Sequence, residues 1–403
     1  MTAAPGESRY AWVVVWATFV SLALIFGVAY SFAAFFKSFS AEFAAQRADV
    51  AMVFGLTGLI YFSFGAVGGM LSDRYGPRLI CSSGMVCIAL ALLSASWATS
   101  LTAVYLSYGV GIGLGIALVY TPAIGCVLPW FVARRGLASG IASSGIGLGT
   151  VVIPLVVTAL IGALDWRGAL RIMAAGIFML GLVATGLLKT APVAGSPVGS
   201  SGGNKPMASG ATLKQALHDR RFWWFYLFTF FGAPSMFIPF AHVSASARDL
   251  GVADAQAVGL VGLIGVGSLV GRFAIGALAD KLGRTTTIAL AGASMGLSYL
   301  LWLAAGGYLA LAVFALWLGL SYGGIVSLMP AICMDMFGAR ALAGIIGTLY
   351  SAAALGNLLG PVLAGAVFDR MGSYQLVMWA CLGLTVISTW AVLKIRKPAM
   401  GIE

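Results

Sequence analysis

The chain has 403 residues, of which 61% are hydrophobic and 9% are charged, and its formal net charge is +11. Soluble globular domains carry about 25% charged residues, so this composition excludes a soluble protein and indicates a polytopic membrane protein. The positive charges lie in short clusters between uncharged stretches of about 20 residues, the length of a membrane-spanning helix. They therefore predict a membrane topology and not a nucleic-acid-binding surface.

The hydropathy pattern predicts twelve membrane-spanning helices. They lie near residues 10–36, 48–72, 78–97, 102–131, 134–163, 168–190, 221–246, 256–281, 286–306, 308–337, 341–368 and 374–396. The segment 191–211 between the sixth and seventh spans is rich in Gly, Ser, Ala and Pro, which is typical of a flexible linker. We therefore predict a six-helix half over residues 1–190, a cytoplasmic linker over 191–220 and a second half over 221–403.

The basic residues predict the orientation of these helices. Placing both termini in the cytoplasm puts sixteen Lys and Arg residues on the cytoplasmic side and six on the outer side. This imbalance is what the positive-inside rule requires. We expect an integral protein of the cell (cytoplasmic) membrane with both termini inside.

The two halves repeat each other at an offset of 207 residues. The matching pairs are Gly69 and Gly276, Asp73 and Asp280, Gly76 and Gly283, Gly140 and Gly347, Gly149 and Gly356, and Pro154 and Pro361. Independent Gly-rich helices would share one such match by chance, but hardly six at a single offset. A parallel repeat of six-helix halves places the substrate near the membrane midplane, between the halves.

The segment GMLSDRYGPR (69–78) resembles the G-x-L-x-D-R-x-G-x-R loop of the major facilitator superfamily, and ALADKLGR (277–284) ends in its second copy. The resemblance implies an all-α membrane protein of twelve helices, in which two six-helix halves form a pseudo-two-fold parallel repeat. Charged residues beside glycines in a tight turn can latch the cytoplasmic side in one state and release it in the other; a solvated turn is the structural alternative. The predicted gating residues are Gly69, Asp73, Arg74, Gly76, Arg78, Asp280, Lys281, Gly283 and Arg284.

Two further segments resemble one branch of that superfamily. WFVARRGLASGIASSGIGLG (130–149) is similar to the fifth-helix signature of monocarboxylate transporters, and residues 10–50 resemble their first helix and following loop. The resemblance implies a carrier of small monocarboxylates such as lactate or pyruvate, driven by proton symport. The alternative is an antiporter of the related oxalate/formate type, which shares TLKQALHDRRFWWFY (212–226). Those antiporters carry a lysine on helix eleven, whereas residues 341–368 contain none.

Arg272 is the only Lys or Arg that the prediction places inside a span. An arginine at the centre of a membrane helix costs about 2.5–3.5 kcal/mol. The span interiors contain no Asp or Glu at the same depth, since Asp335 lies near the cytoplasmic end of its helix. An anionic substrate is therefore a better partner than a structural ion pair, because a guanidinium donates two parallel hydrogen bonds to a carboxylate. The helix-eight arginine has that role in the families that the chain resembles.

Other polar residues inside the spans are candidates for substrate binding. Hydroxyl and amide groups of this kind can contact a small oxygenated ligand, or equally form hydrogen bonds between helices. Ser268 stands where animal monocarboxylate transporters usually have an aspartate, four residues before the arginine. The candidates are Tyr120, Tyr322, Tyr350, Asn357 and Ser268.

The proton site is predicted at the outer end of helix seven. An unperturbed histidine side chain titrates in the physiological range, which suits a proton site at His242, and Asp249 follows it seven residues later on about the same helical face. A structural histidine and a solvated helix end are the alternatives. Residues 11–34 lack the lysine that the mammalian relatives have on helix one, which gives these two residues more weight.

The sequence contains no pattern for catalysis or for a cofactor. It has no phosphate-binding loop and no nucleophile–base pair, and its five cysteines show neither disulfide nor metal-ligand spacing. We therefore expect no enzyme activity, no cofactor and no metal site. A membrane receptor on the same fold would tolerate loss of the paired charged loops, and both are present. The expected partners are a monocarboxylate anion, a proton and the lipid bilayer, with the chain as a monomer.

Overall fold

A computed structural model describes residues 9–127, 130–131, 135–190, 210–338 and 342–395, and every structural statement below concerns these residues. They form fourteen α-helices and one π-helical segment, Tyr105–Gly111. The α-helices are α1 Arg9–Tyr30, α2 Phe32–Glu42, α3 Arg47–Tyr75, α4 Pro77–Ala95, α5 Leu101–Val104, α6 Ile112–Val127, α7 Arg135–Gly186, α8 Leu213–His218, α9 Arg220–Asp249, α10 Asp254–Leu282, α11 Arg284–Leu303, α12 Tyr308–Phe337, α13 Leu342–Met371 and α14 Gln375–Leu393.

Eleven helical stretches of the described chain are long and apolar enough to cross a membrane. The first joins α1 and α2, and the fifth, within α7, contains two predicted spans. Asp165 divides α7 with a φ of 77°, and its carboxylate accepts a hydrogen bond from the Gly168 N–H at 2.7 Å. The eleven stretches therefore correspond to the twelve predicted spans, and the predicted all-α membrane fold is confirmed.

The sequence repeat is also a repeat of backbone geometry. Gly76 joins α3 to α4 with φ 88° and ψ 149°, and Gly283 joins α10 to α11 with φ 83° and ψ 145°. A residue with a Cβ atom is strained in this region of φ and ψ, so glycine is required at both turns. The two turns lie at corresponding places in the two halves of the sequence.

Small residues let the helices approach closely. A Cβ atom added to Gly145 or Gly149 of α7 would overlap backbone atoms of α1. The same is true of Gly267 and Gly271 of α10 against α12. Close backbone approach at small residues is a common way to pack membrane helices. We call residues 9–190 the N-half and residues 210–395 the C-half; α3 packs on α13 and α7 on α10 between them.

Candidate functional site

A cavity of about 50 Å³ lies between the two halves. Helices α1, α3, α6 and α7 of the N-half line it, together with α9, α10, α12 and α13 of the C-half. A single water needs roughly 10–15 Å³ of such space, so the cavity has room for a small molecule. Its lining residues are Phe26, Tyr61, Phe62, Tyr120, Ile146, Thr229, Met236, Phe237, Arg272, Tyr322, Val326, Met329, Tyr350 and Ala353.

Arg272 is the one charged residue among those that line the cavity. Its Nη2 atom is buried and has no hydrogen-bond partner within the described chain. Asp335, which the sequence places near the cytoplasmic end of its span, forms an ion pair with Arg284 at 2.6 Å. A buried, unpaired guanidinium donor is costly unless a ligand supplies an acceptor, so the geometry favours an anion in this cavity.

Tyrosine hydroxyls supply the other polar groups of the cavity. The hydroxyls of Tyr61, Tyr120 and Tyr350 have no hydrogen-bond partner in the described residues, although all three side chains line the cavity. The Tyr322 hydroxyl lies 3.3 Å from that of Tyr30 across the two halves. The Tyr30 ring in turn stacks on a C-half ring, Phe240, at a centroid distance of 4.2 Å. Three of the predicted tyrosines, Tyr120, Tyr322 and Tyr350, thus share the cavity with Arg272.

Two of the predicted substrate residues do not line the cavity. The amide nitrogen of Asn357 on α13 lies 3.3 Å from the carbonyl oxygens of Phe54 and Gly55 on α3, and it donates between the halves. Ser268 lies one turn of α10 before Arg272, and its buried hydroxyl has no hydrogen-bond partner among the described residues. The structure therefore places Asn357 in a contact between helices, the alternative that its residue type left open.

His242 is fully buried, and both of its ring nitrogens have partners. Nε2 lies 2.8 Å from the carbonyl oxygen of Pro361, and Nδ1 lies 2.8 Å from the hydroxyl of Tyr374. Because a carbonyl only accepts, Nε2 carries the proton and Nδ1 accepts from the tyrosine. This arrangement satisfies a neutral imidazole completely.

Arg47 connects the halves at the same end of the bundle, which we call the Arg47 end. Its guanidinium donates to both carboxylate oxygens of Asp249, at 2.9 and 2.6 Å, and to the Tyr374 hydroxyl at 2.9 Å. The guanidinium carbon lies 3.7 Å from the centre of the Phe368 ring. Lys37 pairs with Asp254 at 2.9 Å, also between the halves. The predicted proton residue Asp249 is therefore part of an ionic contact that closes this end.

The predicted gating residues lie at the opposite end of the bundle. The side chains of Asp73 and Asp280 are outside the described part of the structure. Gly69 and Gly276 are helical, and Gly76 and Gly283 form the two turns already described. Arg74, Arg78, Lys281 and Arg284 are exposed, and Arg284 forms its ion pair within the C-half.

Several residues at these sites cannot be recognised from the sequence. Phe26, Tyr61, Phe62 and Phe237 resemble ordinary apolar or aromatic span residues, and only the contact between the halves gathers them around Arg272. Arg47 is one of the six basic residues that the predicted topology places on the outer side, and nothing in the sequence distinguishes it from the other five. A tyrosine in a predicted span was the available signal for Tyr61, and it is a weak one.

Comparison with known proteins agrees with this architecture. A model of the Major Facilitator Superfamily matches residues 18–350 and 235–401. Monocarboxylate transporter 13 of Bos taurus is 32% identical over 376 residues, which cover 92% of this chain and 86% of the relative. An MFS-type transporter of Penicillium oxalicum is 30% identical over 405 residues, which cover 99% and 93% of the two chains.

A solved structure has the same fold. It is a bacterial homologue of the human lysosomal transporter Spinster, in an inward-facing and unoccupied conformation. The TM-score is 0.73 at 16% sequence identity, and the match covers 98% of this chain and 100% of the other. The chain is an integral membrane transporter and not an enzyme, and it belongs to the monocarboxylate transporter family of the major facilitator superfamily.

Proposed function

We propose that the protein is a secondary active transporter of small monocarboxylates such as lactate and pyruvate, coupled to protons by symport. The observation that carries this proposal is the guanidinium of Arg272. It lies in a cavity between the two halves, and one of its buried nitrogens lacks an acceptor. A carboxylate can accept two parallel hydrogen bonds from it and neutralise its charge.

The rest of the cavity supports a small ligand with one carboxylate. Aromatic and aliphatic side chains would contact the carbon chain, and the hydroxyls of Tyr61, Tyr120 and Tyr350 would contact a further oxygen. A dianion such as oxalate calls for a second cation, and Arg272 is the only charged residue among those lining the cavity. The relatives named as monocarboxylate transporters point to the same class of substrate.

Alternating access would come from rocking of the two halves, residues 1–190 and 221–403, joined by a linker over 191–220. The distribution of Lys and Arg supports an orientation in the cytoplasmic membrane with both termini inside and the Arg47 end outside. The ion pairs Arg47–Asp249 and Lys37–Asp254 keep that end closed in this conformation. One chain contains both halves of the site, so we propose that the monomer is the transporting unit.

Protons would act on the contacts that close the Arg47 end. A protonated His242 carries a second N–H, which would point at a Tyr374 hydroxyl that already accepts from Arg47. Protonation of Asp249 would remove the charge that Arg47 pairs with. Asp369 is the other charged group beside this network, and its carboxylate binds backbone N–H groups. Both protonation events weaken the contact between the halves, so acid on the outer side would favour opening.

Uptake by the purified protein in proteoliposomes tests this function. Labelled lactate, pyruvate, acetate and oxalate would be offered with and without an inward proton gradient. We expect uptake of the monocarboxylates, stimulation by the gradient, and little uptake of oxalate. Robust exchange of oxalate against formate would instead assign the protein to the antiporter type.

A further inference from the structure

Helix α3 begins without a cap from its own sequence. Gln46 occupies the N-cap position, and its side chain makes no capping hydrogen bond. The first intrahelical bond is formed by the N–H of Val50, so the preceding N–H groups need acceptors from elsewhere. An uncapped helix N-terminus is less stable than a capped one, because its first N–H groups lack acceptors.

The missing cap comes from the other half of the molecule. One carboxylate oxygen of Asp369, on α13 of the C-half, accepts from the Arg47 N–H at 2.9 Å. The second oxygen accepts from the Ala48 N–H, also at 2.9 Å. Hydrogen bonds to an ionised acceptor are roughly twice as strong as neutral ones, and the N-terminus of a helix favours negative charge.

The position of Asp369 suits α3 and not its own helix. Asp369 lies in the last turn of α13, where the helix dipole disfavours a carboxylate. Gly365, one turn earlier, faces the same place: a Cβ atom there would collide with the backbone of Arg47 and Ala48. A glycine and an aspartate one turn apart thus bring α13 directly onto the end of α3.

We propose that Asp369 is a positioning residue for the transport cycle. It caps α3 from the opposite half only while the Arg47 end is closed, and so it sets the balance between the closed and open states of that end. When the halves separate there, two N–H groups of α3 lose their acceptor. The Asp369 carboxylate is then left with only its unfavourable interaction with the dipole of α13. This inference rests on the alternating-access function proposed above, but not on the identity of the substrate.

Distance measurements without substrate test this proposal. Ala41 and Ala253 are exposed, belong to opposite halves and line the outer cleft at the Arg47 end. Spin labels at Ala41→Cys and Ala253→Cys, with the half-buried Cys87 replaced by serine, would report that separation by electron–electron double resonance in nanodiscs. We expect Asp369→Asn to increase the ratio of long to short distances by about tenfold, because two charge-assisted hydrogen bonds are lost.

Asp49→Asn is the matched control. Asp49 lies in the first turn of the same helix and is exposed, so its change removes one negative charge from the same helix end without touching the other half. We expect the distance distribution to stay unchanged in this variant. We expect Asp369→Glu, which keeps an ionised acceptor, to recover part of the wild-type distribution.

Gly365→Ala weakens the same contact between α13 and α3 by a steric clash, and it leaves the Asp369 carboxylate in place. It should shift the distances in the same direction, which protects the test if Asp369→Asn folds poorly. Unchanged distances in both variants, or an equal shift in Asp49→Asn, would overturn the proposal. Loss of lactate uptake with an intact distance shift would contradict the proposed substrate and leave the positioning role standing.

The proposal also predicts that KM in the same variants changes in opposite directions on the two sides of the membrane. The apparent affinity for a ligand is reduced by the fraction of molecules that can bind it, so more open molecules should lower KM measured from the outer side. KM measured from the inner side should rise in the same variant, whereas a general loss of folded protein would lower only the maximal rate. KM values that move in the same direction on both sides would count against the proposal.

Discussion

In the proposed function, Arg272 is the residue that binds the substrate carboxylate. It is the single cation on the wall of a cavity whose other polar groups are hydroxyls. Its counterpart at the repeat offset in the N-half is Gly65, so the site is asymmetric although the fold is a repeat. A cation within a membrane bundle is expensive unless it is paired, and the described residues provide no carboxylate for it.

Arg272→Ala should abolish uptake, because the variant lacks the guanidinium that would bind the substrate anion. The protein should still insert and fold, because the variant also lacks the buried nitrogen that has no partner. Arg272→Lys should retain a small part of the activity, since a lysine keeps the charge but not the two parallel hydrogen bonds. Uptake of labelled lactate in proteoliposomes measures both. Arg171→Ala is the control, as Arg171 contacts Ser96 far along the N-half. Normal uptake by Arg272→Ala would remove the basis of the proposed site.

Tyr61 offers a test of what the hydroxyls of the cavity recognise. Its side chain is buried on the cavity wall, and its hydroxyl has no partner in the described residues. Tyr61→Phe should raise KM for lactate several-fold and leave KM for propionate unchanged, since only lactate has an oxygen on the second carbon. Competition by each acid against labelled pyruvate gives the two values. Equal effects on both acids would show that Tyr61 only shapes the cavity.

At the scale of single residues, the sequence predicted the charged group and part of its surroundings. Arg272 could be identified because a lone cation in an apolar run is visible without a structure. Tyr120, Tyr322 and Tyr350 line the cavity with it, whereas Asn357, for which the sequence leaves substrate contact and a helix–helix hydrogen bond equally open, is bonded to α3. The reason is physical: a polar side chain in a span satisfies itself on whatever neighbour the packing supplies.

At the scale of elements, the packing of α3 against α13 is the most extensive contact between the two halves. Asn357 donates to carbonyl groups of α3, and Gly58 leaves the space that its side chain occupies. A Cβ atom at Gly58 would overlap the Asn357 amide. The two residues are therefore complementary in shape across the interface.

Gly58→Ala should destabilise the protein by about 1–3 kcal/mol, because an added methyl group has no space in a packed interface. Adding Asn357→Ala should recover part of this loss, since it removes the side chain that is overlapped and makes the two changes non-additive. Thermal unfolding in detergent, with uptake in parallel, measures the cycle. Gly125→Ala is the control, because a Cβ atom there meets nothing within 4 Å. Additive effects of the two changes would contradict the proposed complementarity.

At the scale of the whole molecule, the Arg47 end is closed by ion pairs, a helix cap and the contacts of a buried histidine. Arg47 pairs with Asp249, Asp369 caps α3, and His242 is linked to Arg47 through the Tyr374 hydroxyl. In the proposed cycle, a rigid-body separation of the halves at this end would break all three contacts. Protonation of one group can therefore change the energy of a movement of the whole half.

His242→Gln separates the hydrogen bonds of the histidine from its titration. A glutamine amide can donate to the Pro361 carbonyl and accept from Tyr374, but it takes up no proton at physiological pH. In the proposed mechanism, protonation of His242 weakens the contact that closes the Arg47 end. Wild-type uptake should therefore rise as the outer pH falls. The variant should transport at a rate that is nearly independent of outer pH. A full response to pH in His242→Gln would move the coupling to Asp249, where Asp249→Asn tests it in the same assay.

The sequence by itself determined the spans, the repeated turns at Gly76 and Gly283, the family, and the isolated cation Arg272. These are local properties, because an apolar run, a glycine turn or a charge in a span has the same meaning in any packing. Only the tertiary structure decided that Tyr61 lines the same cavity as Arg272 and that Asp369 caps α3. Those contacts join residues of different halves, and they depend on how the two halves pack against each other in this conformation.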